Sequence, residues 1–147
     1  MTAAEGSRTD GAPPEAARKA HVVKGGTGYH AQQGSDYLPG VSVETVGATA
    51  LWLGMVTLPP GQRTKAHVHA RHETAFYMMS GELEMWTGTD LQYREMVRPG
   101  DYLFIPANVL HVAVNRGDKP AVLIGSRNEP TAQESVIMHP EMDARVP

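Results

Sequence analysis

From Val41 to Ser126 apolar side chains recur in short runs, several of them alternating with polar residues, and almost every run ends at a turn signal. Val41 to Val46 alternates Val with Ser, Glu and Thr, and Ala50 to Leu58 is β-prone around Leu51, Trp52, Leu53, Met55 and Val56. Gly47 separates these two expected strands, and Pro59-Pro60-Gly61 ends the second, because proline removes a ladder donor and glycine accepts positive φ. The rhythm continues through Ala66 to Val68, Ala75 to Met79, Leu83 to Trp86, Leu91 to Val97, Tyr102 to Ile105, Val112 to Val114 and Ala121 to Ser126. Ser80-Gly81, Thr87-Gly88, Pro99-Gly100, Pro106-Ala107-Asn108 and Arg116-Gly117-Asp118 lie between them and suit tight turns. Strands at a spacing of about ten residues predict an all-β barrel or jelly roll. No segment sustains a helical period with caps, although Glu129 to Glu134 can make one turn.

The ends of the chain differ from this middle. Residues 1–20 are rich in Ala, Gly, Pro and charge and read as a disordered tail, because they hold too little apolar surface to offset the entropy of ordering. Residues 21–40 are Gly-rich with scattered aromatics and no period, and read as an irregular N-terminal arm packed along an outer strand. A single barrel with a C-terminal extension is expected over residues 41–147. The whole chain has 147 residues, about one domain by length. Its 15 Gly and 11 Pro fit many turns.

Charge and composition narrow the partners. A formal net charge of -3 supplies no long-range attraction for a polyanion, so nucleic acid is not an expected partner. The longest weakly polar run, Val46 to Val56, is far shorter than the about 20 residues of a spanning helix, and no membrane partner is expected. The N-terminus shows no apolar signal-peptide stretch, which points to a cytoplasmic protein. With 0 cysteines, disulfides and thiolate chemistry are excluded.

The chemistry concentrates in Gly61-Gln-Arg-Thr-Lys-Ala-His67-Val-His69-Ala-Arg-His72-Glu73. Residues two apart on a strand share a face with Cα atoms about 6.6 Å apart, so His67 and His69 can converge on one ion. His111 offers a third nitrogen and Glu73 an oxygen, the donor types of a first-row transition-metal site. Arg63, Lys65 and Arg71 flank the pair, either drawing an anionic substrate or as solvated loop charges. Phe76, Met78, Met85, Trp86, Tyr102 and Phe104 are candidate pocket walls or plain core, and Tyr77, Tyr102 and Gln62 candidate hydrogen-bond partners for a substrate.

The same residues give the chain its resemblance to the cupin superfamily. Gly61, His67, His69, Glu73 and Gly81 follow the first cupin motif, and Gly100, Pro106, His111 and Asn115 follow the second. Two positions depart from the pattern. Counting back from Gly81, the acidic position holds Thr74, so a one-residue bulge is needed to bring Glu73 to the metal; His72 competes for the same place. Asn108 replaces a motif glycine, and asparagine tolerates the left-handed region better than most residues.

The resemblance implies a double-stranded β-helix (jelly-roll) cupin barrel with one divalent transition-metal ion (Zn, Fe, Mn, Ni or Cu) in its mouth, held by His67, His69, Glu73 and His111. It implies a metal-dependent enzyme acting on a small-molecule substrate, of dioxygenase or Lewis-acid (isomerase or lyase) type. The run from His72 to Tyr77 with Glu84-Met-Trp-Thr-Gly88 is also similar to the zinc cupin domains of hydrazine-forming enzymes, which join N to N with a synthetase-like partner. A non-enzymatic metal or small-molecule binding module is the remaining class. Exposed outer edges of such a barrel predict a homodimer.

Overall fold

The computed structural model describes residues 18–147. Apart from Arg18, Lys19 and Ala20, the expected N-terminal tail therefore lies outside the described residues. The strands are β1 (Tyr29–His30), β2 (Asp36–Val41), β3 (Trp52–Leu58), β4 (His67–Val68), β5 (Thr74–Ser80) and β6 (Leu83–Thr87). They continue with β7 (Tyr93–Val97), β8 (Tyr102–Ile105), β9 (His111–Val114), β10 (Ala121–Arg127) and β11 (Ile137–Met138). A one-turn helix, α1 (Val43–Val46), follows β2, and a 3-10 helix spans Pro140–Arg145 near the C-terminus.

The strands form two antiparallel sheets, ordered β1-β2-β3-β10-β5-β8 and β11-β4-β9-β6-β7. Alternation decides what each strand buries. Along β3, Trp52, Gly54, Val56 and Leu58 point inward, and along β10 Ala121, Leu123, Gly125 and Arg127 do the same. Leu58, Met78, Ile105 and Leu123 of the six-stranded sheet meet Leu83, Met85, Val97 and Ala113 of the five-stranded sheet in one core. This is the jelly roll that the strand rhythm predicts. The five-stranded sheet is covered on its outer face as well. Val112 and Val114 pack there with Ala66, Leu91 and Val146, so β9 is buried on both faces.

Two local readings are corrected. Of the expected strand Val41 to Val46, only Val41 is in a strand, as the last residue of β2. Ser42 caps α1 in a reciprocal capping box with Thr45, and Gly47 closes it at φ 68°, so an alternating sequence is captured by its caps. The arm holds strands that its composition hides: β2 pairs with β3 from Asp36↔Thr57 to Val41↔Leu53.

Motif residues outside the histidines act as fold supports. Gly81 turns at φ 73°, and a Cβ there would collide with the Pro120 carbonyl oxygen. Asn115 is buried; its side-chain amide donates to the Leu58 and Lys119 carbonyls at 2.9 and 2.8 Å, and its Oδ1 accepts from the Gly117 amide at 2.9 Å. Asn108 adopts φ 63° in place of the motif glycine, and its N–H donates to the His69 carbonyl at 2.7 Å. Among the described residues no helix is long and apolar enough to cross a membrane.

Candidate metal centre

Strand pairing assembles the histidines. His67 on β4 stands opposite His111 on β9, and their ring centroids lie 4.2 Å apart. His69, just beyond β4, places its ring 5.1 Å from His67 and 4.8 Å from His111. The C-terminal extension holds β4 in position: β11 pairs with it through Ile137↔Val68 and Met138↔His67, and the Asp143 carboxylate accepts the Ala66 N–H at 2.6 Å. Arg63 contributes here, donating to the carbonyls of Val146 and Asp143 at 2.8 and 2.9 Å, so this candidate substrate-attracting charge is a tie for the C-terminus.

The orientation of each ring is fixed by its outer nitrogen. His67 Nδ1 donates to the Lys65 carbonyl at 2.6 Å and His111 Nδ1 to the Val109 carbonyl at 2.9 Å. Carbonyls only accept, so both Nδ1 atoms carry the proton and both Nε2 atoms keep a lone pair. His69 Nδ1 lies 3.1 Å from the Thr74 hydroxyl, and its Nε2 is buried with no hydrogen-bond partner. Burial pushes the pKa of all three rings down: His67 below its usual value, His69 to about 4, and His111 well below 6.5, where the two neighbouring imidazoles add to the effect. Three neutral imidazoles with ligand atoms within 4.8 Å of one another form a group able to hold a metal ion. Outer nitrogens tied to oxygen acceptors are the usual supports of metal-binding histidines. The residues present fit such an ion.

Glu73 is placed elsewhere. It is exposed, and its N–H donates to Asn128 Oδ1 at 2.9 Å. No bulge interrupts the start of β5: Thr74 pairs in register with Ile105 and Arg127 and takes the inward position, which leaves Glu73 outside the histidine cluster. The buried carboxylate beside the histidines belongs to Glu134, in the segment between β10 and β11. Its Oε2 accepts from His72 Nε2 at 2.8 Å, and its Oε1 accepts from Gln33 Nε2 at 2.7 Å and Tyr37 OH at 2.9 Å. Glu134 Oε1 lies 3.7 Å from His69 Nε2. His69, His72 and Glu134 form a second group of potential ligands that shares His69 with the first. His72 stacks on His69 with centroids 4.7 Å apart.

Arg127 completes the polar wall. It is buried at the end of β10, with its guanidinium 4.2 Å above the Trp52 ring and 3.5 Å from Glu134 Oε2, and it donates to the Ala132 carbonyl at 2.9 Å. Burial alone raises the Glu134 pKa; the His72 hydrogen bond, the charges of His69 and Arg127, and the Tyr37 hydroxyl overcome that and hold it at about 2. Glu134, Arg127, Gln33 and Tyr37 were not legible as site residues in the sequence. A lone Glu in a polar stretch and a Gln in a Gly-rich arm carry no motif.

A cavity of about 40 Å3 borders the histidines, with room for about three water molecules. His67, His69, His111, Gln33, Ser35, Tyr37 and Thr64 make its polar side. Of the candidate walls only Phe76 and Met85 line it. Met78 packs in the core and Trp86 against the outer cluster, while Tyr102 and Phe104 face solvent. Tyr77 and Gln62 are exposed as well.

Comparisons with known proteins agree with this architecture. The family model described as a cupin domain matches residues 54–125. The quercetin 2,3-dioxygenase of Bacillus subtilis (strain 168) is 41% identical over 54 residues, covering 36% of this chain and 15% of that protein. Protein SchB of Streptomyces halstedii is 32% identical over 94 residues, covering 63% of this chain and 65% of that protein. A double-stranded β-helix protein of Klebsiella pneumoniae matches with a TM-score of 0.59 at 17% identity, covering 75% of this chain and 88% of that one. The two antiparallel sheets, the paired histidine motifs and these matches place the chain in the cupin superfamily. It spans 15% and 65% of the lengths of the two curated relatives named here.

Proposed function

We propose that the protein is a metal-dependent cupin enzyme in which His67, His69 and His111 hold one divalent transition-metal ion that binds a small-molecule substrate. The observation that carries this is the tie of each outer ring nitrogen to an oxygen, which turns three uncharged imidazoles toward a common point beside a cavity. Such an ion supplies either a redox centre or a Lewis acid. The chain's own residues do the rest: the apolar walls of the cavity exclude water, and the polar wall of Gln33, Tyr37 and Thr64 orients what enters. Local identity to a quercetin 2,3-dioxygenase favours the dioxygenase form.

Elemental analysis of protein purified without chelators or a metal-affinity column tests this reading. The expected result is close to one equivalent of metal per chain. Iron, copper, nickel or manganese with oxygen uptake on a screen of chelating substrates supports the dioxygenase form, and zinc alone supports Lewis-acid chemistry. A protein that takes up no metal on reconstitution is a binding module, and the proposal is wrong.

The homodimer belongs to the same proposal. A row of apolar residues, Leu38, Met55, Ile124, Tyr77 and Tyr102, runs across the outer face of the six-stranded sheet from β2 to the edge strand β8. Tyr102 there is 83% exposed and Phe104, beside it, 59%. An apolar face ending at an open edge fits a second copy related by a two-fold axis. Light scattering at micromolar concentration is expected to give twice the chain mass, and a monomer refutes the dimer.

A further inference from the structure

Apart from the Nε2 of His69, which faces the proposed metal position, the unpartnered polar atom among the described residues lining the cavity belongs to Gln33. It is 1% exposed, sits in the tight turn from Ala31 to Ser35, and its backbone carbonyl accepts the Lys65 N–H at 2.8 Å, two residues before His67. Its Nε2 donates at 2.7 Å to Glu134 Oε1 and at 2.9 Å to Tyr37 OH, which uses both amide hydrogens. Glu134 Oε1 accepts from both Gln33 and Tyr37, with the Arg127 guanidinium 3.5 Å from the other carboxylate oxygen, and Tyr37 spends its hydroxyl hydrogen on Glu134. The amide therefore cannot be reversed: its NH2 must face the carboxylate and its carbonyl must face away. That carbonyl, Gln33 Oε1, is buried without a partner, although the residue lines the cavity shared with the three histidines.

An orphaned buried acceptor costs free energy unless something else satisfies it. We infer that Gln33 Oε1 is the recognition acceptor of the centre, and that the substrate class is a small molecule that coordinates the metal through oxygen while donating an O–H or N–H from a neighbouring atom to this carbonyl. Glu134 and Tyr37 are positioning residues that fix the amide. The cavity limits the part of the ligand accommodated there to a few non-hydrogen atoms in the structure as it stands. A site built around a buried acceptor discriminates strongly against an analogue lacking the donor. The inference rests on the three-histidine metal reading proposed above.

The test uses the full chain loaded with cobalt(II), whose visible absorption reports ligand binding without turnover. Glycolate and methoxyacetate are titrated against it: both offer the same carboxylate and neighbouring oxygen, and only glycolate donates a hydrogen. The ratio of their affinities is measured in the native protein, in Gln33→Met and in Gln33→Leu, with cobalt content and the thermal melt recorded for each. The native protein is expected to favour glycolate, and the ratio is expected to fall about tenfold in whichever variants melt cooperatively, with cobalt content unchanged. An unchanged ratio in a folded variant, or no preference in the native protein, overturns the assignment of Gln33 while leaving the metal centre standing. Failure of the native protein to take up cobalt overturns the metal reading and this inference with it.

Discussion

Replacing His111 by alanine is expected to weaken metal binding more than about 100-fold, because loss of a direct ligand exceeds the 10–100-fold cost typical of losing an outer partner. His111 is buried opposite His67, its Nδ1 proton is committed to the Val109 carbonyl, and the neighbouring imidazole of His72 is engaged by the Glu134 carboxylate instead. His67→Ala is expected to behave in the same way. A thermal readout separates this from misfolding. Metal at a hundredfold excess over its Kd stabilises a single site by about 2.7 kcal/mol, so the native protein's melting temperature should rise on addition of metal while that of a folded variant should not. Glu73→Gln is the control: an exposed side chain outside the cluster should leave affinity unaltered. Retention of native affinity by His111→Ala refutes the assignment.

The largest loss of stability is expected for Glu134→Ala. Glu134 is the buried anion on which Arg127, His72, Gln33 and Tyr37 converge, and its removal leaves the buried guanidinium with carbonyls, aromatic rings and, as its nearest remaining carboxylate, the more distant Glu129 at 3.8 Å. Removing one partner of such a pair costs about 3–5 kcal/mol. Urea denaturation of metal-free protein measures it, and a loss below about 1 kcal/mol contradicts the network. The pH dependence gives the sign. The Glu134 pKa falls from 4.5 to about 2 on folding, so its contribution is present above pH 4.5 and lost as pH falls toward 2. His69 is also depressed, from 6.5 to about 4, because burial resists its protonation, and stability is lost through that window as the unfolded chain takes up the proton first. The metal-free native protein is therefore expected to weaken from pH 6.5 downward, and its advantage over Glu134→Gln to shrink below pH 4.5.

The parts of this molecule that were legible in the sequence are those set by local periodicity and by spacing. The rhythm of short apolar runs and turn signals located β3 and β10 without saying which face points inward, and the motif spacing of His67, His69 and His111 marked three members of the cluster. Other features depend on contacts distant in sequence. Gln33 and Glu134 are 101 residues apart and meet only because the arm and the C-terminal extension close over the same end of the barrel. Glu73 illustrates the reverse: an acidic residue near the motif position looks like a ligand, but the pleat of β5 gives the inward place to Thr74. At α1, the capping chemistry of Ser42 and Thr45 outweighs an alternating pattern that reads as a strand.

The centre itself is tested most directly by X-ray absorption on the zinc-loaded protein, where imidazole rings give a recognisable outer-shell scattering pattern and Zn–N distances of about 2.0–2.1 Å. The three-histidine account requires three imidazoles, with light oxygen atoms completing the shell. Two imidazoles or fewer would contradict it.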